Sequence, residues 1–101
     1  MSYHSRVLVT FICEAVLEDK IVETAKKHGV SGYTILEARG EGGRGSRSAD
    51  FEYNKNIKLE ILCKSETADK ICDEVRETYF EDYAVVIYRN DVSVTRPDKF
   101  A

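Results

Sequence analysis

The chain is short of nearly everything that would make it a metal protein, a disulfide scaffold or a membrane protein. Its three cysteines, Cys13, Cys63 and Cys72, are an odd number without a CxxC pair, which suits neither a disulfide framework nor a zinc site. Each falls on the apolar phase of an expected strand or helix, where free cysteine behaves as a small hydrophobe. Only two histidines, His4 and His28, could assist a metal, and they stand near the start of the chain and at an expected helix end. No apolar run approaches the roughly 20 residues that a membrane-spanning helix needs. Residues 1–5 (MSYHS) lack the basic-then-apolar layout of a secretory signal, so the expected location is cytoplasmic. Basic residues are not in excess either: the net charge is −3 and the pI about 5.4, which speaks against nucleic-acid binding.

What is present is the composition of one compact domain: 101 residues, 43% hydrophobic and 33% charged. Residues 6–13 (RVLVTFIC) are β-branched and aromatic, and read as a strand. Over residues 16–28 the period changes. Leu17, Ile21 and Ala25 repeat at helical spacing with Val22 alongside, acids lie early, and Lys26, Lys27 and His28 fall in the last turn, where they complement the helix dipole. Gly29 is the expected stop. Residues 33–38 form a second strand, and residues 56–63 (NIKLEILC) alternate apolar with polar as a half-buried strand must. A second helix is expected over 66–79, with Ser65 as its N-cap and Ala68, Ile71, Cys72, Val75 and Tyr79 on one face. Residues 84–89 (AVVIYR) form a fourth strand, and residues 92–95 a short fifth that Pro97, the single proline, ends.

The order β-α-β-loop-β-α-β predicts an α+β, ferredoxin-like βαββαβ sandwich with both helices on one face of an antiparallel sheet. The first and fourth strands are apolar on both phases: Val7, Val9 and Phe11 against Leu8 and Ile12, Val85 and Ile87 against Val86 and Tyr88. Helices cover one of those faces, and another copy of the chain is the simplest cover for the other.

Between the second and third strands, residues 39–55 (RGEGGRGSRSADFEYNK) break all periodicity. Connections of that length are functional or disordered. The stretch from Gly40 to Gly45 matches GxGxxG, but a dinucleotide fold needs that motif to open a helix, and a strand follows here. Glycines let successive N–H groups converge on an anion, and Arg39, Arg44, Arg47 and Lys55 supply cations, which Glu41, Asp50 and Glu52 partly cancel. Composition alone leaves two readings open: a local anion site, or a solvated linker. No serine or threonine has a histidine at a telling spacing for nucleophilic catalysis. Acylphosphatases share the size and topology, yet nothing here matches their GxVQGVxFR-type loop.

Several blocks together resemble a known family. Residues 29–38 (GVSGYTILEA), running into the glycine-rich loop, resemble the segment that opens the T-loop of PII signalling proteins, and residues 56–62 (NIKLEIL) resemble the strand after it. The likeness is closer to the PII-like branch represented by SbtB and the carboxysome-associated PII-like proteins. It rests on Gly32-Tyr33-Thr34, on Arg44 and Arg47, on NIKLEIL, and on Tyr79-Phe80-Glu81-Asp82-Tyr83-Ala84 leading to Ile87-Tyr88.

That resemblance implies a non-enzymatic, cytoplasmic homotrimer that binds adenine nucleotides such as AMP, ADP, ATP or cyclic AMP in the clefts between subunits. Bicarbonate is a further ligand that it allows, and no cofactor or metal is implied. By position, Thr34, Gly40, Gly42, Gly43, Arg44 and Arg47 would surround the phosphates; Tyr83, Ala84, Val85 and Val86 would line the cleft; Arg96 matches an arginine near the end of PII chains. The implied role is regulation of inorganic-carbon uptake through a ligand-ordered loop, acting on a membrane transporter and so peripheral to the membrane. The alternative is a nucleotide-independent trimeric module that docks its loop on such a partner. A trimeric metal-tolerance protein like CutA shares the topology but would need more convergent His and Cys. Three departures stand out: the TGKIGDGK-type B-loop is replaced by a short Phe80-Glu81-Asp82 turn, Tyr53 has no RGAEY context, and no CGPEGC-type block is present in these residues. Glu41, where related loops carry a lysine, would favour AMP, cyclic AMP or ADP over more highly charged polyphosphates.

Overall fold

The computed structural model describes residues 2–42, 45–47 and 55–100, with the backbone alone for 41–42 and 45–47. Its elements run β1 (His4–Glu14), α1 (Glu18–Lys27), β2 (Thr34–Ala38), β3 (Gly40–Gly42), β4 (Gly45–Arg47), β5 (Asn56–Cys63), α2 (Ser65–Tyr79) and β6 (Val86–Val94). Four strands form one antiparallel sheet in the order β2-β5-β1-β6, and both helices cover one of its faces. This is the expected ferredoxin-like α+β arrangement.

The core follows from strand alternation. Val7, Val9, Phe11 and Cys13 of β1 lie opposite Cys63, Ile61, Leu59 and Ile57 of β5, and all eight are buried. Against them pack Leu17, Ile21 and Ala25, and from α2 Ala68, Ile71 and Val75. Burying a side chain of this kind stabilises the fold by roughly 1.5–3 kcal/mol, so the two helical stripes hold the helices to the sheet.

The opposite phase makes the other face. Leu8, Thr10 and Ile12 share it with Leu36, Lys58, Glu60, Leu62, Val86 and Tyr88. Leu36 is 52% exposed, Val86 42% and Tyr88 41%, so a stripe of large apolar side chains faces outward. In its midst Thr10 is wholly buried, its register partners being Glu60 and Tyr88, and its hydroxyl finds no hydrogen-bond partner among the described residues.

Several sequence expectations change. The segment ahead of α1 is a 3-10 turn, Ala15–Leu17, and Val16 points into solvent at 61% exposure, outside the buried stripe. Gly29 does stop α1: it is left-handed, with φ 92°, a conformation glycine adopts without strain. Ser65 is the first residue of α2 and not its cap. Lys64, extended at φ −72° and ψ 156°, holds the cap position, and its carbonyl accepts the Ala68 N–H at 2.9 Å. The Ser65 hydroxyl instead accepts from Arg89 Nη2 at 3.4 Å.

The fourth and fifth strands expected at 84–89 and 92–95 are one strand, β6. Strand β1 is long enough to pair with it from His4↔Val94 to Ile12↔Val86, and that ladder carries the backbone through polar Asn90 and Asp91. As an edge strand, β6 tolerates polar side chains on both faces. Ala84 and Val85 lie before it, in a turn where Tyr83 N–H donates to Tyr79 O at 2.9 Å and Val85 N–H to Tyr83 O at 3.0 Å. The stretch read as aperiodic also holds structure: β3 and β4 pair with each other, Gly40↔Arg47 and Gly42↔Gly45.

Candidate functional site

The long loop leaves the sheet where β2 and β5 end together, at Ala38↔Asn56. One strand further along, Asn56 faces Glu14 of β1, and Ala15 N–H donates to Lys55 O at 2.7 Å, tying the loop's return to the start of the helical segment. This end of the sheet carries an open hollow of about 400 Å³, lined by Glu37, Ala38, Arg39, Lys55 and Asn56. Asn56 is buried, whereas Arg39 and Lys55 are exposed on the rim. The register places these two exposed cations on either side of the mouth of the loop.

Gly40 and Gly42 lie on β3 and Arg47 on β4, directly beyond that mouth in the chain. Among the described residues nothing lies within 4 Å of a Cβ built at Gly40. Gly43 and Arg44 lie outside the described residues. Thr34 is exposed at the start of β2, opposite Glu60.

Tyr83, Ala84, Val85 and Val86 sit at the same end of the sheet as the loop mouth, because Val86 is opposite Ile12 while Ala38 and Glu14 flank Asn56. They lie on the far edge, three strand spacings away, or about 14 Å. Tyr83 is half-buried against Tyr79, ring centroids 6.2 Å apart and edge-on, and Val86 is exposed. One end of the sheet thus offers a cationic, glycine-rich corner on one side and an aromatic and aliphatic corner on the other.

Arg96 belongs to neither corner. It follows the last residues of β6, whose Val94 pairs with His4 at the opposite end of β1. From Arg6 to Glu14 the strand spans about 26 Å at ~3.3 Å per residue, so Arg96 stands about that far from the loop mouth of its own chain. Arg96 is exposed and stands outside the ion pairs of the described residues.

The charged groups elsewhere are surface networks. Glu74 Oε1 accepts from Lys27 Nζ at 3.0 Å and meets His28 Nε2 at 3.1 Å; those two bonds hold its carboxyl below the usual range. Arg89 Nη1 donates to Asp69 at 2.6 Å, fastening β6 to α2. Among the described residues no three His, Cys, Asp or Glu converge as metal ligands, and no helix is long and apolar enough to cross a membrane.

The family model described as nitrogen regulatory protein P-II matches residues 6–99. The chain belongs to the P-II family. The fold is similar to that of a PII-like signalling protein from Thermus thermophilus, at 44% identity and TM-score 0.86, with all of both chains covered. It is also similar to CPII from Thiomonas intermedia K12, solved with ADP and bicarbonate, at 22% identity and TM-score 0.89, covering 99% of this chain and 98% of that one. A DUF3240 family protein from Shewanella baltica matches more distantly, at 18% identity and TM-score 0.64, over 88% and 89% of the two chains. The expectation of a PII-like protein close to the SbtB branch is therefore met, and a homotrimer is consistent with this P-II family.

Proposed function

We propose that this P-II family chain is a regulatory sensor of adenine nucleotides, with a site built from two copies. The observation that supports this reading is that the candidate residues form two corners at one end of the sheet, while Arg96 lies at the other end. A nucleotide has an apolar base at one end and anionic phosphates at the other, and it is the shape of ligand that would bridge the two corners about 14 Å apart. Its base would lie at Tyr83, Ala84, Val85 and Val86. Its phosphates would lie against the N–H groups of Gly40, Gly42 and Gly43 and the guanidinium groups of Arg44 and Arg47, with Thr34, four residues back along β2 from the loop mouth, as the remaining candidate of the site. Arg96, at the other end of the sheet, would come from a neighbouring copy. The uncovered apolar face of Leu8, Ile12, Leu36, Leu62, Val86 and Tyr88 supports assembly, and a homotrimer closes such a heterologous contact into a ring.

ADP is the first ligand to try, since CPII is a structural neighbour solved with ADP, AMP and bicarbonate. Bicarbonate is proposed as a second ligand, and control of inorganic-carbon uptake through a membrane transporter as the output of a cytoplasmic protein. Ordering loop residues costs roughly 1–2 kcal/mol each, so a nucleotide that fixes part of the loop selects one state for a partner to read. Isothermal titration with AMP, ADP, ATP and cyclic AMP tests the proposal. Binding of at least one of them below millimolar concentration is expected, and silence from all four would end it. Arg44→Ala should weaken that binding by about 1.5–3 kcal/mol, the worth of a hydrogen bond to a charged group.

A further inference from the structure

Arg6 stands half-buried near the start of β1, and its longest-range hydrogen bonds lead away from that strand. It shares the uncovered face with Leu8, Thr10 and Ile12, beside Val92 of β6. Nη1 donates to the neighbouring Ser5 carbonyl at 2.8 Å. The other two bonds cross the whole sequence: Nε donates to Phe100 O at 2.9 Å and Nη2 to Pro97 O at 2.9 Å. Between those two carbonyls lies a single 3-10 turn, Pro97–Lys99, in which Lys99 N–H donates to Arg96 O and Phe100 N–H to Pro97 O, each at 3.2 Å.

The turn has little else to hold it. Its three residues include none that is buried, both of its internal bonds are long, and 3-10 geometry is weak in short pieces. A planar fork with several fixed donors is suited to clamping two carbonyls at once, and hydrogen bonds from a charged donor are the strong kind. Arg96 is the residue that enters this turn. It has φ −128° and ψ 76°, is exposed, and its own carbonyl is bonded within the turn.

We infer that Arg6 is a positioning residue: it latches the Pro97–Lys99 turn to β1 and so presents Arg96 to the nucleotide site of a neighbouring copy. The inference rests on the nucleotide reading for its ligand, but the latch itself can be read without any nucleotide. Lysine cannot replace the fork, since its ammonium is a single point charge that does not bridge two carbonyls in fixed geometry.

Two readouts test it in the full chain. Amide hydrogen exchange at Lys99 and Phe100 is measured in wild type and in Arg6→Lys, with no ligand present. Faster exchange in the variant at those two amides, with the β1 and β5 core amides unchanged, is expected; unchanged exchange at both overturns the latch. ADP affinity is then measured for Arg6→Ala, Arg96→Ala and the double variant. Arg96→Ala should weaken ADP by about ten- to a hundredfold. Arg6→Ala should weaken it by no more than that, and the double variant should bind like Arg96→Ala alone. If Arg6→Ala lowers affinity as much in the Arg96→Ala background as in wild type, Arg6 acts through the general fold and the inference fails. Should wild type itself ignore ADP, the nucleotide reading falls with it, while the exchange result still decides whether the latch exists.

Discussion

Cys63 shows how a single side chain can be read from its phase and then refined by its surroundings. It alternates with Ile57, Leu59 and Ile61 in the sequence, and in the fold it is wholly buried opposite Val7. Burial, helped by the nearby Cys72 thiol and opposed by Arg89, pushes its thiol from 9.0 up to about 11. The folded state therefore favours the protonated thiol. That contribution to stability is complete below the ordinary thiol pKa of the unfolded chain and is lost as pH rises from about 9 through 11. Thermal unfolding followed from about pH 8 to about pH 11 should show a steeper loss of Tm in wild type than in Cys63→Ala. Parallel slopes would mean that the thiol is not held protonated by the fold. Other residues were less legible. Arg6 carries no periodic signal that marks it, because its partners Pro97 and Phe100 lie 91 and 94 positions away. Ser65 looked like a cap by residue type, yet its hydroxyl is taken by Arg89, a residue of β6.

At the scale of elements, alternation and helical stripes located β1, β5 and both helices to within about two residues. Where the burial pattern is weak, the sequence marks an element poorly. The sequence pattern of β6 breaks at Asn90 and Asp91 because an edge strand need not alternate, and only its ladder with β1 joins the halves. The β3–β4 hairpin is built from residues 40–42 and 45–47, three of them glycine, and such a segment carries no side-chain pattern to read. The same sparseness leaves it little intrinsic stability, since a lone two-stranded hairpin is marginal in water. Its amides at 41, 42, 45 and 46 should exchange quickly without ligand, and at least about tenfold more slowly at saturating ADP. Equal rates in both states would favour a loop that docks on a partner without sensing a nucleotide.

For the whole molecule, the doubly apolar strands made an oligomer expected, and the fold places their second phase on one uncovered face. Leu36, at 52% exposure on the edge strand β2, tests what covers it. Leu36→Asp puts a charge on that face without touching the core of Phe11, Leu59 and Ile71. Sedimentation should report a smaller species than wild type while circular dichroism still shows a folded chain. An unchanged sedimentation coefficient would mean that the face is covered elsewhere or not at all. What the sequence could not reveal is the distribution of the candidate residues: Thr34, Gly40, Arg47, Tyr83 and Arg96 are simply positions along a chain until the register assigns them to corners and ends of a sheet.

That distribution makes the central claim one about two copies sharing a site, with Arg44 from the loop of one and Arg96 from the turn of the next. It is tested most directly by co-refolding equal amounts of Arg44→Ala and Arg96→Ala chains and titrating the mixture with ADP. Each variant alone should bind weakly at every site. In a randomly mixed ring about a quarter of the interfaces pair an intact loop with an intact turn, so the mixture should recover wild-type affinity at about that fraction of sites. A mixture that binds no better than the two variants measured separately would contradict a site shared between copies.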